Sequence, residues 1–92
     1  MTEHNRLIID VREPMEFMFG HVSGAINIPP AKLMAGAAEL KSIAKDTELI
    51  LYCMSGSRSA AAINILHQQG FTNLINGINK DQVKAKYLVK KN

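Results

Sequence analysis

The chain has 92 residues, 47% of them hydrophobic, and from this size and composition we expect one compact domain with its own core. Its net charge of +3 is uneven, because five lysines and one aspartate give residues 80–92 a charge of +4. We interpret this segment as a solvated basic helix. It has no nucleic-acid recognition motif, so we expect no nucleic-acid partner. No apolar run approaches the roughly 20 residues of a membrane span, so we expect no membrane association.

The chain contains one cysteine and three histidines. A single cysteine excludes an internal disulfide and a cysteine-rich zinc site, and the histidines lack ligand spacing, so we expect no metal. Residues 1–6 lack the apolar core of a signal peptide. Because a reactive thiol survives best in a reducing compartment, we expect the protein to be cytoplasmic.

The amino-terminal part of the sequence predicts two strands and a helix. The apolar run 7–11 is typical of a strand, and Glu13 and Pro14 begin a short helix that ends near Gly20. Residues 25–28 form a second apolar run, which two prolines end.

The middle of the chain predicts a helix, a strand and a second helix. Apolar residues recur at helical spacing over 33–44, although Gly36 is expected to bend or split this helix. The run 49–52 fits a buried parallel strand with Cys53 at its carboxyl end. From Ser59 the alanine-rich pattern favours a helix that Gly70 ends in a left-handed conformation.

The last elements are a strand over 72–75, a turn at Asn76-Gly77 and a helix capped by Asn79. The expected buried stripe of this helix is Val83, Tyr87 and Leu88. Strands that alternate with helices predict an α/β fold, with a central parallel sheet of four to five strands flanked by helices on both faces. Sites in such sheets form at the carboxyl edge of the strands, where Cys53 lies.

The segment after Cys53 has the features of an anion-binding loop. It is small and polar, and Gly56 allows a tight turn that points backbone N–H groups inward. The amino terminus of the next helix and the charge of Arg58 favour a thiolate, whose ordinary pKa is about 8.5. The candidate catalytic residue is therefore Cys53. The candidate substrate-binding residues are Met54, Ser55, Gly56, Ser57, Arg58 and Ser59.

Three stretches carry a resemblance to a known family. The loop 53–59 resembles the active-site loop of the rhodanese-like sulfurtransferases, in which a cysteine opens a six-residue loop. Residues 7–17 and 20–29 resemble the two signatures that precede this loop in the family, and the match covers residues 7–77. The chain departs from the family pattern at Ile78 and Asn79, where many relatives carry a second glycine and then an aromatic residue.

The resemblance implies a single rhodanese-like domain and a sulfurtransferase. Cys53 would accept a sulfane sulfur as a persulfide, from thiosulfate or another persulfide donor. It would then pass the sulfur to cyanide, a thiol or a sulfur-carrier protein, without a cofactor. The resemblance places Asp10 and Arg12 near the active loop, where we favour a structural ion pair over a catalytic contact. It also makes His21 architectural, although a role as general base to Cys53 is the alternative.

Two other functions stay open. A binding or regulatory module would keep the fold without turnover. A cysteine phosphatase or arsenate reductase would also hold an oxyanion between Cys and Arg. The spacing disfavours that class, because four residues separate Cys53 from Arg58 and tyrosine-phosphatase-like loops have five.

Overall fold

The computed structural model describes residues 6–88, which form a four-stranded sheet in the order β2-β1-β3-β4. All three strand pairings are parallel. The strands are β1 (Arg6–Asp10), β2 (Ile26–Asn27), β3 (Glu48–Cys53) and β4 (Leu74–Asn79). The predicted parallel α/β fold is confirmed, with the strand number at the lower end of the expected range.

Helical segments connect the strands. They are α1 (Pro14–Met18), α2 (Pro30–Met34), a 3₁₀ turn (Ala38–Leu40), α3 (Ser57–Gln68) and α4 (Lys80–Tyr87). The predicted split at Gly36 is confirmed, since this residue lies between α2 and the 3₁₀ turn with φ of +109°. Gly70 follows α3 at φ +101°, and the Asn79 side chain accepts a hydrogen bond from the Gln82 N–H at the start of α4, as predicted. The part of the predicted basic helix beyond residue 88 lies outside the described residues.

The core consists of two clusters of packed side chains, because alternate residues of a strand point to opposite faces. Leu49, Leu51 and Cys53 of β3 belong to one cluster, together with Leu33 of α2 and Leu66 of α3. The other cluster is built from different positions. It contains Ile8, Val22, Ala25, Ile50, Tyr52 and Val83, with Phe17 and Tyr87 packed against it. Thus β3 is buried on both sides and carries Cys53 to its carboxyl end.

The turn predicted at Asn76-Gly77 is wrong. Strand β4 continues to Asn79, and its pairing with β3 shifts between Leu51 and Tyr52, which makes a β-bulge. Gly77 fits this bulge because a Cβ there would lie 2.5 Å from Cγ2 of Val83. The next residue, Ile78, has φ of +78°, a left-handed conformation that suits glycine better than a β-branched residue. The Asn-Gly pair therefore marks a bulge and not a chain reversal.

Other boundaries differ from the sequence predictions by one or two residues. Strand β2 has only two residues, and α3 begins at Ser57 instead of Ser59. In α4, Val83 is buried and Tyr87 half-buried, but Leu88 is exposed and follows the helix, so its assignment to a buried stripe was wrong. Over residues 6–88, the helices are too short or too polar to cross a bilayer.

Candidate active site

Cys53 is the last residue of β3, and only 1% of its surface is exposed. Its Sγ accepts a hydrogen bond from the Gly56 N–H at 3.1 Å and lies 3.6 Å from the Ser59 hydroxyl. Gly56 adopts φ of +97° immediately before α3 begins, which turns its N–H back towards the sulfur. The thiol therefore lies at the base of a loop that is closed by the first turn of α3.

The environment of Cys53 stabilises its thiolate. Burial of the Cys53 thiol by itself raises the pKa, because charge is costly in a poorly solvated place. The Ser59 hydroxyl and the backbone N–H groups of Ser55, Gly56 and Ser59 more than offset this effect and lower the pKa to about 7. A large fraction of Cys53 is therefore the nucleophilic thiolate at neutral pH.

The loop exposes three of its side chains to solvent. Met54 is 61% exposed beside the thiol, and the hydroxyls of Ser55 and Ser57 lie 3.4 Å apart. Because neither of these hydroxyls contacts the sulfur, these residues form the rim of the loop.

Asn76 anchors the loop to β4, a role that the sequence analysis missed. Its Nδ2 donates to the Gly56 carbonyl at 3.0 Å, and its Oδ1 accepts from the Ser59 hydroxyl at 2.7 Å. The same Oδ1 also accepts from the Ile78 N–H at the bulge, at 3.0 Å. The bulge thus orients one amide that contacts both residues flanking the thiolate. Asn76 directly follows the apolar residues Leu74 and Ile75, and a polar side chain at this point of β4 is the sequence signal for such a role.

Arg58 is bound by a carboxylate instead of facing an open loop. Its Nη1 and Nη2 donate to the two carboxylate oxygens of Glu16, at 2.8 Å and 3.1 Å. Arg58 is not among the groups that lower the pKa of Cys53 most. The Arg58 charge, which the sequence predicts to favour the thiolate, is therefore paired with the Glu16 carboxylate, although it still interacts with the charge of Cys53.

Asp10 and Arg12 form a buried ion pair at the carboxyl end of β1. The Arg12 Nη2 donates to Asp10 at 2.7 Å and to the Gly20 carbonyl at 2.7 Å, and the Arg12 Nε lies within 3.1 Å of both Asp10 oxygens. The Arg12 guanidinium also lies over the Tyr52 ring, 5.6 Å from its centroid. These contacts connect the segment after α1 to the sheet next to the site, which supports the structural interpretation.

His21 lies on the surface, where its ring stacks on Phe17 at 3.6 Å between centroids. Its Nδ1 is 2.9 Å from the Phe17 carbonyl, which can only accept, so Nδ1 carries the hydrogen. This contact ties the end of α1 to the following segment. It supports the architectural role that the resemblance implies for His21.

The fold and the loop together define a class of protein: a parallel α/β domain that holds a low-pKa cysteine among oriented N–H donors at the carboxyl edge of its sheet. The family model of the Rhodanese-like domain matches residues 1–82. The chain therefore belongs to the rhodanese-like domain family.

Individual relatives agree with this assignment. The chain is 41% identical to the uncharacterized protein YqhL of Bacillus subtilis over 75% of its own length and 52% of that protein. It is 38% identical to the thiosulfate sulfurtransferase PspE of Escherichia coli, over 74% of the chain and 64% of PspE. The chain thus spans about half to two thirds of these two relatives.

A solved structure described as a rhodanese with anions from E. coli superposes with a TM-score of 0.69. The two sequences are 32% identical, and the superposition covers 84% of this chain and 89% of the E. coli chain. Relatives at 30–38% identity include proteins named sulfurtransferase or thiosulfate sulfurtransferase.

Proposed function

We propose that the protein transfers a sulfane sulfur through a persulfide on Cys53. The observation that carries this proposal is the Cys53 sulfur, which accepts the Gly56 N–H at 3.1 Å and has a pKa of about 7. A thiolate at neutral pH is the form that attacks sulfur. The relatives that are named sulfurtransferases support the same reaction.

In the first half-reaction the Cys53 thiolate attacks the outer sulfur of the donor, for which thiosulfate is the simplest case. The sulfur–sulfur bond of thiosulfate breaks, and sulfite leaves with the bonding electron pair. The product is a Cys53 persulfide anion, and no proton, metal or organic cofactor is needed to balance this step. The backbone N–H groups that stabilise the thiolate would hold the persulfide sulfur as well.

In the second half-reaction an external nucleophile attacks the outer sulfur of the persulfide and restores the Cys53 thiolate. The sequence has no other cysteine that would act as an internal acceptor. The acceptor is then cyanide in an assay, and a small thiol or a sulfur-carrier protein in a cell. A free thiol of this kind is suited to a reducing compartment such as the cytoplasm.

The test is the mass of the protein after incubation with thiosulfate. We expect an increase of one sulfur atom on Cys53, which cyanide removes as thiocyanate. The Cys53→Ser variant should fold, as shown by an unchanged circular dichroism spectrum, and should neither gain sulfur nor turn over.

A folded parent protein that gains no sulfur from thiosulfate or from a small organic persulfide would contradict the proposal. That outcome would favour the binding module without turnover. Release of phosphate from an aryl phosphate by the same preparation would instead favour the phosphatase class.

A further inference from the structure

The active loop 53–59 has one side-chain cation, Arg58, and this cation forms an ion pair with Glu16. The two side chains form a bidentate pair across 42 positions of sequence, with 35% of Arg58 and 33% of Glu16 exposed. A bidentate carboxylate uses the same fork of donors that a sulfonate or phosphate would use. The amino-acid sequence thus supplies an internal competitor for an anionic ligand.

Glu16 is held in position for this contact by its own helix. Its Oε1 accepts the Glu13 N–H at 2.9 Å at the start of α1, in addition to the hydrogen bond from Arg58. The Arg58 hydrogen bond and then the Glu13 N–H lower the pKa of Glu16 to about 2. The carboxylate is consequently charged throughout the neutral range and does not depend on a ligand for its orientation.

The next guanidinium near the site does not replace Arg58. Arg12 is 4% exposed, and its donors are directed to Asp10 and to the Gly20 carbonyl. With Arg58 held by Glu16, the groups that contact the Cys53 sulfur directly are the Gly56 N–H and the Ser59 hydroxyl. A dianion would also approach the Glu16 carboxylate, which repels it.

We propose that Glu16 determines donor specificity by holding the Arg58 guanidinium. This contact weakens the binding of small dianionic donors such as thiosulfate more than the binding of donors that present a singly charged persulfide at the end of a longer group. This inference rests on the proposed sulfur transfer. The recessed sulfur and the exposed Met54 at the rim agree with a donor that reaches in from a larger body. Glu16 acts here through Arg58, as a positioning residue.

The experiment compares Glu16→Gln with Glu39→Gln. Glutamine keeps an oxygen for the Glu13 N–H, so α1 retains its first turn while the charge is lost. Glu39 is a matched control, since it is 32% exposed and pairs with Lys32 at 3.0 Å, with no contact to the loop. Both variants change the net charge by the same amount.

The first readout is alkylation of Cys53 by iodoacetate and by iodoacetamide, which differ in charge. We expect Glu16→Gln to raise the rate with anionic iodoacetate, relative to the rate with neutral iodoacetamide, about tenfold at low salt. This change is equivalent to about 1.4 kcal/mol and arises because Arg58 is released for the anionic reagent. The effect should shrink as salt screens the charges, and Glu39→Gln should leave the ratio unchanged. This readout does not require sulfur transfer, so it separates a failure of this inference from a failure of the proposed function.

The second readout is steady-state sulfur transfer. In Glu16→Gln the KM for thiosulfate should fall about tenfold with little change in kcat. The KM for the persulfide of N-acetylcysteine methyl ester, whose only charge is the persulfide, should change less than threefold.

An iodoacetate-to-iodoacetamide ratio that does not rise in folded Glu16→Gln would overturn the inference. A higher thiosulfate KM in that variant would show that Glu16 prepares Arg58 for the donor instead of competing with it. If Glu16→Gln does not fold, Glu16→Ala replaces it, with the same two expectations and the same contradicting results.

Discussion

Ser59 is the residue whose side-chain hydroxyl, when removed, should change the pKa of the Cys53 thiol most. It lies 3.6 Å from the Cys53 sulfur, 2.7 Å from the Asn76 Oδ1 and 3.1 Å from the Gly56 carbonyl, yet it has one hydrogen to donate. With a neutral thiol, the short contact to Asn76 takes that hydrogen. Once Cys53 is a thiolate, its negative charge competes for the same hydrogen. Ser59→Ala should therefore raise the pKa of Cys53.

The magnitude follows from the contact. A hydrogen bond to a charged group contributes about 1.5–3 kcal/mol, and the long distance and the shared hydrogen favour the lower end. One pKa unit corresponds to about 1.4 kcal/mol, so we expect a rise of about one unit from the value of about 7. At pH 7 the thiolate fraction should then fall from about one half to about one tenth.

The assay is the rate of Cys53 alkylation by iodoacetamide as a function of pH. In the parent the rate should rise with pH through a midpoint of about 7, because the thiolate forms there. In Ser59→Ala the midpoint should move upwards, with about fivefold slower alkylation at pH 7 and similar rates well above both midpoints. Ser57→Ala is the control, since its hydroxyl contacts Ser55 and not the sulfur. An unchanged midpoint in folded Ser59→Ala would refute the reasoning and leave the backbone N–H groups as the cause of the low pKa.

Two further predictions concern stability, measured as the free energy of unfolding in urea. Arg12→Ala should lose about 3–5 kcal/mol, because it leaves the buried Asp10 carboxylate without its partner. Arg6→Ala, which breaks the more exposed pair with Glu48, should lose no more than about 1 kcal/mol, and equal losses in the two variants would contradict this assignment. Gly77→Ala should lose about 1–3 kcal/mol, because its Cβ would lie 2.5 Å from Cγ2 of Val83. An unchanged free energy of unfolding in Gly77→Ala would mean that the bulge and α4 shift to accommodate the Cβ without loss of stability.

Local features of the sequence were sufficient to predict the elements that frame the site. The apolar run before Cys53 and the alanine-rich segment after it gave β3 and α3, because burial and helix propensity act over a few neighbouring residues. The interruption at Gly36 and the Asn79 cap were predicted for the same reason. The loop sequence also indicated a stabilised thiolate, since a glycine turn before a helix presents N–H groups wherever it occurs.

The residues that complete the site depend on the tertiary structure. Glu16 and Arg58 are 42 positions apart, and Asn76 is 17 positions from Ser59. They meet because the strand order β2-β1-β3-β4 places β1 and β4 on either side of β3. The Asn-Gly pair is compatible with a turn and with a bulge, and here the bulge forms because β4 continues to pair with β3 beyond it. The sequence therefore indicated a stabilised thiolate at Cys53, whereas only the fold showed that Glu16 pairs with Arg58 and that Asn76 anchors the loop.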